Sequence, residues 1–143
     1  MRISDVLHHK ERIVHKALAS ETVEQAVRKL SDHNIGALLV YDGWGRYAGT
    51  FSERDLVHGL DRFGPAASTM NVGELMSQDV VTCRPDDRVH HAMAVMTAHR
   101  VRHLPVEEDG RIVGIVSIGD LVHFTLQDKE LEVDVLRDMA RAR

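Results

Sequence analysis

One nine-residue pattern occurs twice in this chain, and it constrains the fold more than any other feature. Residues 49–57 read GTFSERDLV and residues 114–122 read GIVSIGDLV, so both copies follow G-x-x-S-x-x-D-L-V at an offset of 65 residues. Each copy follows a short apolar run and precedes a helix-like stretch. The repetition predicts two similar units in tandem, each with one serine and one aspartate at the same strand-to-helix turn.

The residues around each motif also repeat. Apolar residues at i, i+3, i+4 and i+7 predict a helix that starts near Val23 and another that starts near Val89. Ser20 and Asp86 stand just ahead of these helices as candidate N-caps. The strand-like apolar runs are residues 13–17, 35–40 and 46–51 in the first unit and residues 80–83, 101–106 and 111–116 in the second. Each unit is therefore predicted to be β-α-β-β-α.

These units predict a mixed α/β fold in which two repeats are related by a pseudo-twofold axis and pack sheet to sheet. A unit of about 60 residues buries too little surface to be stable alone, so each repeat needs the other. The predicted boundaries are residues 1–63 for the first repeat with a short N-terminal segment, 64–71 for a linker, 72–125 for the second repeat and 126–143 for a C-terminal helical tail. The apolar stripe of that tail favours packing either on its own domain or across a dimer interface.

The composition excludes several classes of protein. The 143 residues include 18 basic and 22 acidic ones, which gives a net charge of −4. This balance argues against a general nucleic-acid binder, which needs a basic surface to displace counterions. The apolar runs are too short to span a membrane, the N-terminus lacks the apolar core of a secretion signal, and the single cysteine fits a reducing compartment. We therefore expect a cytoplasmic protein with neither nucleic-acid nor membrane partners.

The two copies in register resemble a pair of CBS (cystathionine-β-synthase) domains, also called a Bateman module, of the stand-alone bacterial type. The resemblance covers nearly the whole chain apart from the tail. It rests on the repeated motif together with residues 34–38 (NIGAL), 52–55 (SERD), 81–87 (VTCRPDD) and 101–106 (VRHLPV). It implies that the chain binds an adenosine nucleotide, such as AMP, ADP, ATP, NAD or S-adenosylmethionine, in clefts between the repeats. It also implies a homodimer and an unidentified regulated protein.

These features favour a non-catalytic regulatory module that senses adenosine nucleotides. No nucleophile–base pair and no set of metal ligands emerges from the sequence, so we expect neither an enzyme nor a required cofactor. The alternative is a structural protein-interaction module whose repeats pack without a physiological nucleotide.

The serine and the aspartate of each motif are the first candidate ligand contacts. A carboxylate at the first turn of a helix, as at Asp55 and Asp120, can accept hydrogen bonds from ribose hydroxyls. A serine at the helix start, as at Ser52 and Ser117, lies beside unpaired backbone N–H groups that favour phosphate oxygens. Ser-x-x-Asp is also a capping box, which would be purely structural. The resemblance favours ligand contact in at least one copy.

Further candidates lie on the first strand after each long helix. Arg102 and His103 interrupt an apolar run, and we expect one of them to contact a phosphate, although a half-exposed strand face would also explain them. Their counterparts in the first repeat, Gly36 and Ala37, are small enough for an adenine to approach the backbone or for tight sheet packing. Arg54, inside the first motif, is either a phosphate contact or a solvated side chain.

The two clefts are predicted to be unequal. Thr82 matches the threonine that can bond the ligand in the family, whereas its counterpart in the first repeat is Lys16. One cleft is therefore expected to be empty or to prefer a different phosphate length.

The 10 histidines do not predict a metal site. Adjacent residues such as His8-His9 and His90-His91 point about 100° apart on a helix, and neither H-E-x-x-H nor C-x-x-C occurs. We interpret the histidines as surface residues and Cys83 as a small core residue.

The helices that begin at the two motifs are predicted to form a homodimer interface. They carry more apolar surface than one small sheet can cover, namely Leu56, Val57 and Leu60 on the first and Leu121, Val122 and Phe124 on the second. The tail could extend this contact through Leu131, Val135 and Met139.

Overall fold

The chain folds into two α/β repeats, and the computed structural model describes residues 1–10, 14–78 and 81–141. The first part contains α1 (Ile3–His8), β1 (Lys16–Leu18), α2 (Val23–His33), β2 (Ala37–Tyr41), β3 (Tyr47–Ser52) and α3 (Glu53–Phe63). A 3₁₀ helix (Gly64–Thr69) and α4 (Val72–Leu75) lead to α5 (Val89–His99), β4 (His103–Glu108), β5 (Arg111–Ser117) and α6 (Ile118–Arg141). The predicted mixed α/β class is confirmed.

The first sheet has three strands and the second has two. In the first, β1 lies parallel to β2 and β2 lies antiparallel to β3; in the second, β4 and β5 form an antiparallel hairpin. The third strand predicted at residues 80–83 is reduced to one parallel bridge between Cys83 and Val106. Pro85 follows closely and has no N–H with which to extend the ladder. Ile13 and Val80, the first residues of the two predicted runs, lie outside the described residues.

The two long helices begin as the periodicity predicts, but their caps differ from the prediction. Thr22, not Ser20, caps α2: its hydroxyl accepts a hydrogen bond from the Gln25 backbone at 3.2 Å, and the Gln25 side chain accepts one from the Thr22 backbone at 3.0 Å. Arg88, not Asp86, precedes α5 and makes no side-chain cap. Both cap predictions were wrong because the N-cap must be the residue directly before the first helical one.

Each repeat has its own apolar core, and the two short helices are exchanged between them. Ile3 and Val6 of α1 belong to the core of the second repeat, whereas Val72 of α4 belongs to the core of the first. Backbone hydrogen bonds fix both placements, from Ile3 to Asp87 at 2.9 Å and from Val72 to Glu21 at 2.8 Å. The sequence range 1–63 thus contains one helix that packs on the other repeat.

Strand β2 is covered on both faces. Leu38 and Val40 belong to the core on the helix side, and Ala37 and Leu39 are equally buried on the opposite face. A strand that is buried on both sides needs cover on each. Just ahead of β2 the second repeat contributes to this cover, because the His103 ring lies about 3.0 Å from the Cβ position of Gly36.

The predicted tail is not a separate helix, since α6 runs without a break from Ile118 to Arg141. The described side chains beyond residue 125 are exposed, including Leu126, Val133, Leu136 and Met139, so this part does not pack on its own domain. Among the described helices, none has the length and the apolar character to cross a membrane.

Candidate functional site

A cleft of about 700 Å³ lies between the two repeats, at the second copy of the motif. Its size is typical of small-molecule sites, which span about 300–1,000 Å³. The end of α2 and the start of β2 form one side, β5 and the first turn of α6 form the other, and residues of α1 lie between them. The cleft brings together five of the predicted site residues, which are Gly36, Ala37, His103, Ser117 and Asp120.

Asp120 begins α6 as part of a capping box and keeps its charge. Its Oδ2 accepts a hydrogen bond from the Ser117 backbone at 2.9 Å, and the Ser117 hydroxyl accepts one from the Asp120 backbone at 3.0 Å. Burial acts to raise the pKa of Asp120, but hydrogen bonds from Lys10 and Ser117 outweigh it, so the pKa lies below its ordinary value. The structural and the ligand-binding interpretations are compatible here, because a capping carboxylate that stays ionised remains an acceptor.

Lys10 is the site residue that sequence reasoning missed. Its Nζ lies 2.6 Å from Asp120 Oδ2 and 2.7 Å from the Ile115 carbonyl oxygen. Both side chains of the ion pair are about one-third exposed or less, at 33% and 28%. Lys10 lies two residues beyond the end of α1 at His8, so only the exchange of α1 onto the second repeat brings it here. No local pattern signals a contact between residues 110 apart in sequence.

His103 lies at the centre of the contact between the repeats. A side-chain Cβ at Gly36 would come within 3.0 Å of the His103 ring, so a larger residue there would force the ring to move by a few tenths of an ångström. Burial, and next the charge of Lys10, lower the pKa of His103 more than Asp120 and Glu53 raise it. Arg102, the other member of the predicted pair, is exposed outside the cleft, and its carbonyl accepts a hydrogen bond from Ile118 at 2.8 Å.

The first copy of the motif has different surroundings. Ser52 and Asp55 form the same capping box, with 2.9 Å from the Ser52 backbone to Asp55 Oδ2. The other oxygen, Asp55 Oδ1, accepts a hydrogen bond from the Ser77 hydroxyl at 2.7 Å. The backbone of Ser77 pairs with Thr50 of β3, and a Cβ at Gly49 would lie 2.2 Å from the Ser77 carbonyl oxygen. The backbone of residues 77–78 therefore covers this strand end.

The remaining candidates lie outside the cleft. The Thr82 hydroxyl donates to Glu107 at 3.4 Å, and the Lys16 ammonium lies 4.8 Å from the centre of the Tyr41 ring. The Arg54 guanidinium donates to the carbonyl of Arg100.

Four of the 10 histidines line the cleft, and two of them, His8 and His33, are exposed as predicted. They are His8, His15, His33 and His103. Their convergence escapes sequence analysis because they come from four separate segments. Among the described residues, no group of three histidine, cysteine or acidic side chains is arranged to hold a metal ion. Cys83 is buried in the second core, as predicted, and burial raises its pKa to about 12.

Comparisons with known proteins agree with this geometry. A family model described as CBS domain matches residues 4–62 and again residues 72–126. The chain is 32% identical to the mitochondrial CBS domain-containing protein CBSX3 of Arabidopsis thaliana, over 94% of this chain and 69% of that protein. A CBS-domain containing protein from Agrobacterium tumefaciens is 38% identical, with a TM-score of 0.82 over 85% of this chain and 91% of that one. The CBS domain pair of protein MJ0100, solved with 5′-methylthioadenosine and S-adenosyl-L-methionine, has a TM-score of 0.77 at 23% identity over 90% of this chain and 98% of that one.

Proposed function

This chain belongs to the CBS domain family as a tandem pair, and on that premise we propose that it is a non-catalytic regulatory module that senses an adenosine nucleotide. The observation that carries the proposal is the cleft between the repeats, which has the volume of a small-molecule site and an ionised carboxylate at a helix start. The adenosine derivatives bound by the structurally similar pair of MJ0100 support the same ligand class.

Each part of an adenosine nucleotide has a matching feature in the cleft. Asp120 offers carboxylate oxygens to the ribose hydroxyls. Ser117 and the N-terminus of α6 favour phosphate oxygens, because the first N–H groups of a helix have no partner within the helix. We propose that the base lies along the lining at Gly36 and Ala37, beside the His103 ring that packs against Gly36. AMP, ATP and NAD are the ligands we propose, with no further cofactor.

We propose that ligand binding in the cleft acts on the regulated protein by changing the relative arrangement of the two repeats. Both repeats and α1 line the cleft, so a ligand can favour one arrangement of these elements by binding it more tightly than another. We propose that the module acts in the cytoplasm as a homodimer on a separate regulated protein. Exposed apolar residues on α3 and α6 support the dimer: Val57 is 61% exposed, Leu60 45% and Val122 40%.

A thermal-shift and calorimetric screen tests the proposal. We expect AMP, ATP or NAD to raise the melting temperature, since saturation at about 100-fold over Kd adds about 2.7 kcal/mol of stability. If no adenosine compound at millimolar concentration shifts melting or produces heat, the sensing function is wrong. The alternative, a protein-interaction module without a nucleotide, would then be favoured, and the exposed apolar surface of α6 supports it.

A further inference from the structure

We propose that the cleft takes up protons when it binds a phosphate-bearing adenosine ligand, because four histidines line the cleft that contains the ion pair of Lys10 and Asp120. This inference rests on the proposed function and makes it more specific. It predicts that AMP binds more tightly as the pH falls towards 6.5, whereas the neutral analogue 5′-methylthioadenosine does not.

The fixed charges of the lining do not attract a phosphate by themselves. With the imidazoles neutral, the described lining carries one ammonium, Lys10, against two carboxylates, Asp120 and Glu108. Lys10 is already bound to Asp120 at 2.6 Å. An incoming dianion therefore gains attraction mainly by protonating imidazoles, the only side chains of the lining whose ordinary titration lies near neutral pH.

The histidines come from separate elements that converge on the cleft. His8 ends α1, His15 lies just before β1, and His33 ends α2. The rings of His15 and His33 are stacked with 3.8 Å between their centres. Two protonated rings at that distance repel each other, and a nearby phosphate would offset this repulsion. His33 also lies at the negative end of the α2 dipole, which favours a cation.

His103 completes the group from the opposite repeat. Four charged groups act on it: Lys10 and Arg102 disfavour its protonation, and Asp120 and Glu53 favour it. Burial disfavours protonation most strongly, so the pKa of His103 lies below its ordinary value. The ring is therefore neutral in the free protein near pH 7. A phosphate beside Lys10 would cancel the charge of the ammonium and raise the pKa of His103.

The sign of the linkage follows from these contacts. Ligand phosphate raises the pKa of a histidine, so the bound state holds more protons than the free state. The affinity gained from this histidine is fully present below its pKa in the free protein. It is lost as the pH rises through the pKa of the same histidine in the complex. One proton taken up changes the affinity about tenfold per pH unit. If about one-third to two-thirds of a proton is taken up on average over this range, AMP should bind about three- to tenfold more tightly at pH 6.5 than at pH 8.0.

Titration calorimetry on the full chain tests the inference. AMP and 5′-methylthioadenosine are titrated at pH 8.0, 7.25 and 6.5 in buffers of different ionisation enthalpy, which yields the number of protons taken up. The range stays above the second pKa of a phosphate monoester, which is about 6. Net proton uptake with AMP and none with the neutral analogue supports the proposal. Zero uptake with AMP, or the same pH dependence for both ligands, overturns it while leaving the nucleotide-sensing function intact. If neither ligand binds, both proposals fall.

Substitutions of the cleft histidines test whether these side chains take up the protons when AMP binds. His8→Gln and His33→Gln are safe for folding because both side chains are exposed, and each is expected to lower the proton count for AMP. The matched control is His58→Gln on α3, outside the cleft lining, which is expected to leave the count unchanged. If a variant in which His8, His15, His33 and His103 are all replaced by glutamine has the same proton count as the original chain and the control, the histidines of the cleft do not carry the linkage and the proposal is wrong.

Discussion

The two copies of the G-x-x-S-x-x-D-L-V motif fold alike at the helix start and differ in what lies against them. In both, the aspartate accepts a hydrogen bond from the serine backbone at 2.9 Å. At the first copy, the Ser77 hydroxyl bonds to Asp55 and the Ser77 backbone extends the sheet beside Thr50. At the second, Lys10 reaches Asp120 and the cleft stays open.

The difference comes from the two exchanged helices and not from the motifs. The segment after α4 lies along β3 through backbone hydrogen bonds of 3.0 and 2.8 Å. Lys10, two residues beyond the end of α1, instead contacts β5 through its long side chain at 2.7 Å. A pair of repeats can therefore keep one local motif twice while the cleft described above is lined by the second copy and not by the first. The first prediction depends directly on this contrast.

We expect Asp120→Asn to weaken AMP binding about tenfold to a hundredfold. Lost charge-assisted hydrogen bonds to a ribose cost roughly 1.5–3 kcal/mol. Asp55→Asn is the matched control, because both of its carboxylate oxygens already accept hydrogen bonds, from Ser52 and from Ser77, and it is expected to change the affinity less than about threefold. Calorimetry on both variants measures the contrast, and equal losses would contradict an unequal pair of sites.

Gly49→Ala is expected to destabilise the chain by about 1–3 kcal/mol, because overpacking forces the backbone to shift. The new methyl group would lie 2.2 Å from the Ser77 carbonyl oxygen. Gly43→Ala is the control, since nothing lies within 4 Å of its Cβ position. Urea unfolding compares the two variants. If Gly49→Ala were as stable as the control, residues 77–78 would not cover the first strand end as described.

Lys10→Met is expected to cost less than about 1 kcal/mol of stability at pH 7, because the ion pair is partly exposed. The pKa of Asp120 is lower in the folded chain than its ordinary value of about 3.9. The ionised carboxylate therefore stabilises the fold above about pH 3.9, and this stabilisation is lost as the pH falls through the pKa of Asp120 in the folded chain. The difference from the original chain should therefore shrink at pH 3. Arg28→Met, which breaks a more exposed pair with Glu24, is expected to have no measurable effect at either pH. Urea unfolding at pH 7 and at pH 3 measures the stability of both variants. The expectation is wrong if Lys10→Met loses more stability at pH 3 than at pH 7.

Removing the residues after Gln127 is expected to have the smallest effect, since α3 and the first turns of α6 carry the proposed dimer interface. Light scattering on the full chain should give about twice the monomer mass of 16.1 kDa, and the truncated chain should also be dimeric. A full chain of monomer mass at micromolar concentration would contradict the dimer. A truncated chain that became monomeric would instead assign the interface to the tail.

The sequence by itself determined the elements and their repetition. The apolar stripes that start at Val23 and Val89 are buried in the two cores, and the hairpins and motif turns lie close to the predicted positions. These features are local, because a helical or strand periodicity of apolar residues is written within about a dozen consecutive residues. The errors at Ser20 and Asp86 were also local, since the caps lie two residues further along.

Only the tertiary structure decided which copy of the motif has a cleft and what lines it. Lys10 meets Asp120 across 110 residues of sequence, and the four histidines of the cleft belong to separate segments. The packing of α1 on the second repeat brings Lys10 and His8 to the cleft. Short apolar helices with equivalent patterns, such as Ile3–His8 and Val72–Leu75, can in principle pack on either repeat. The choice depends on shape, backbone hydrogen bonds and buried area summed over the whole molecule, none of which is present in a local pattern.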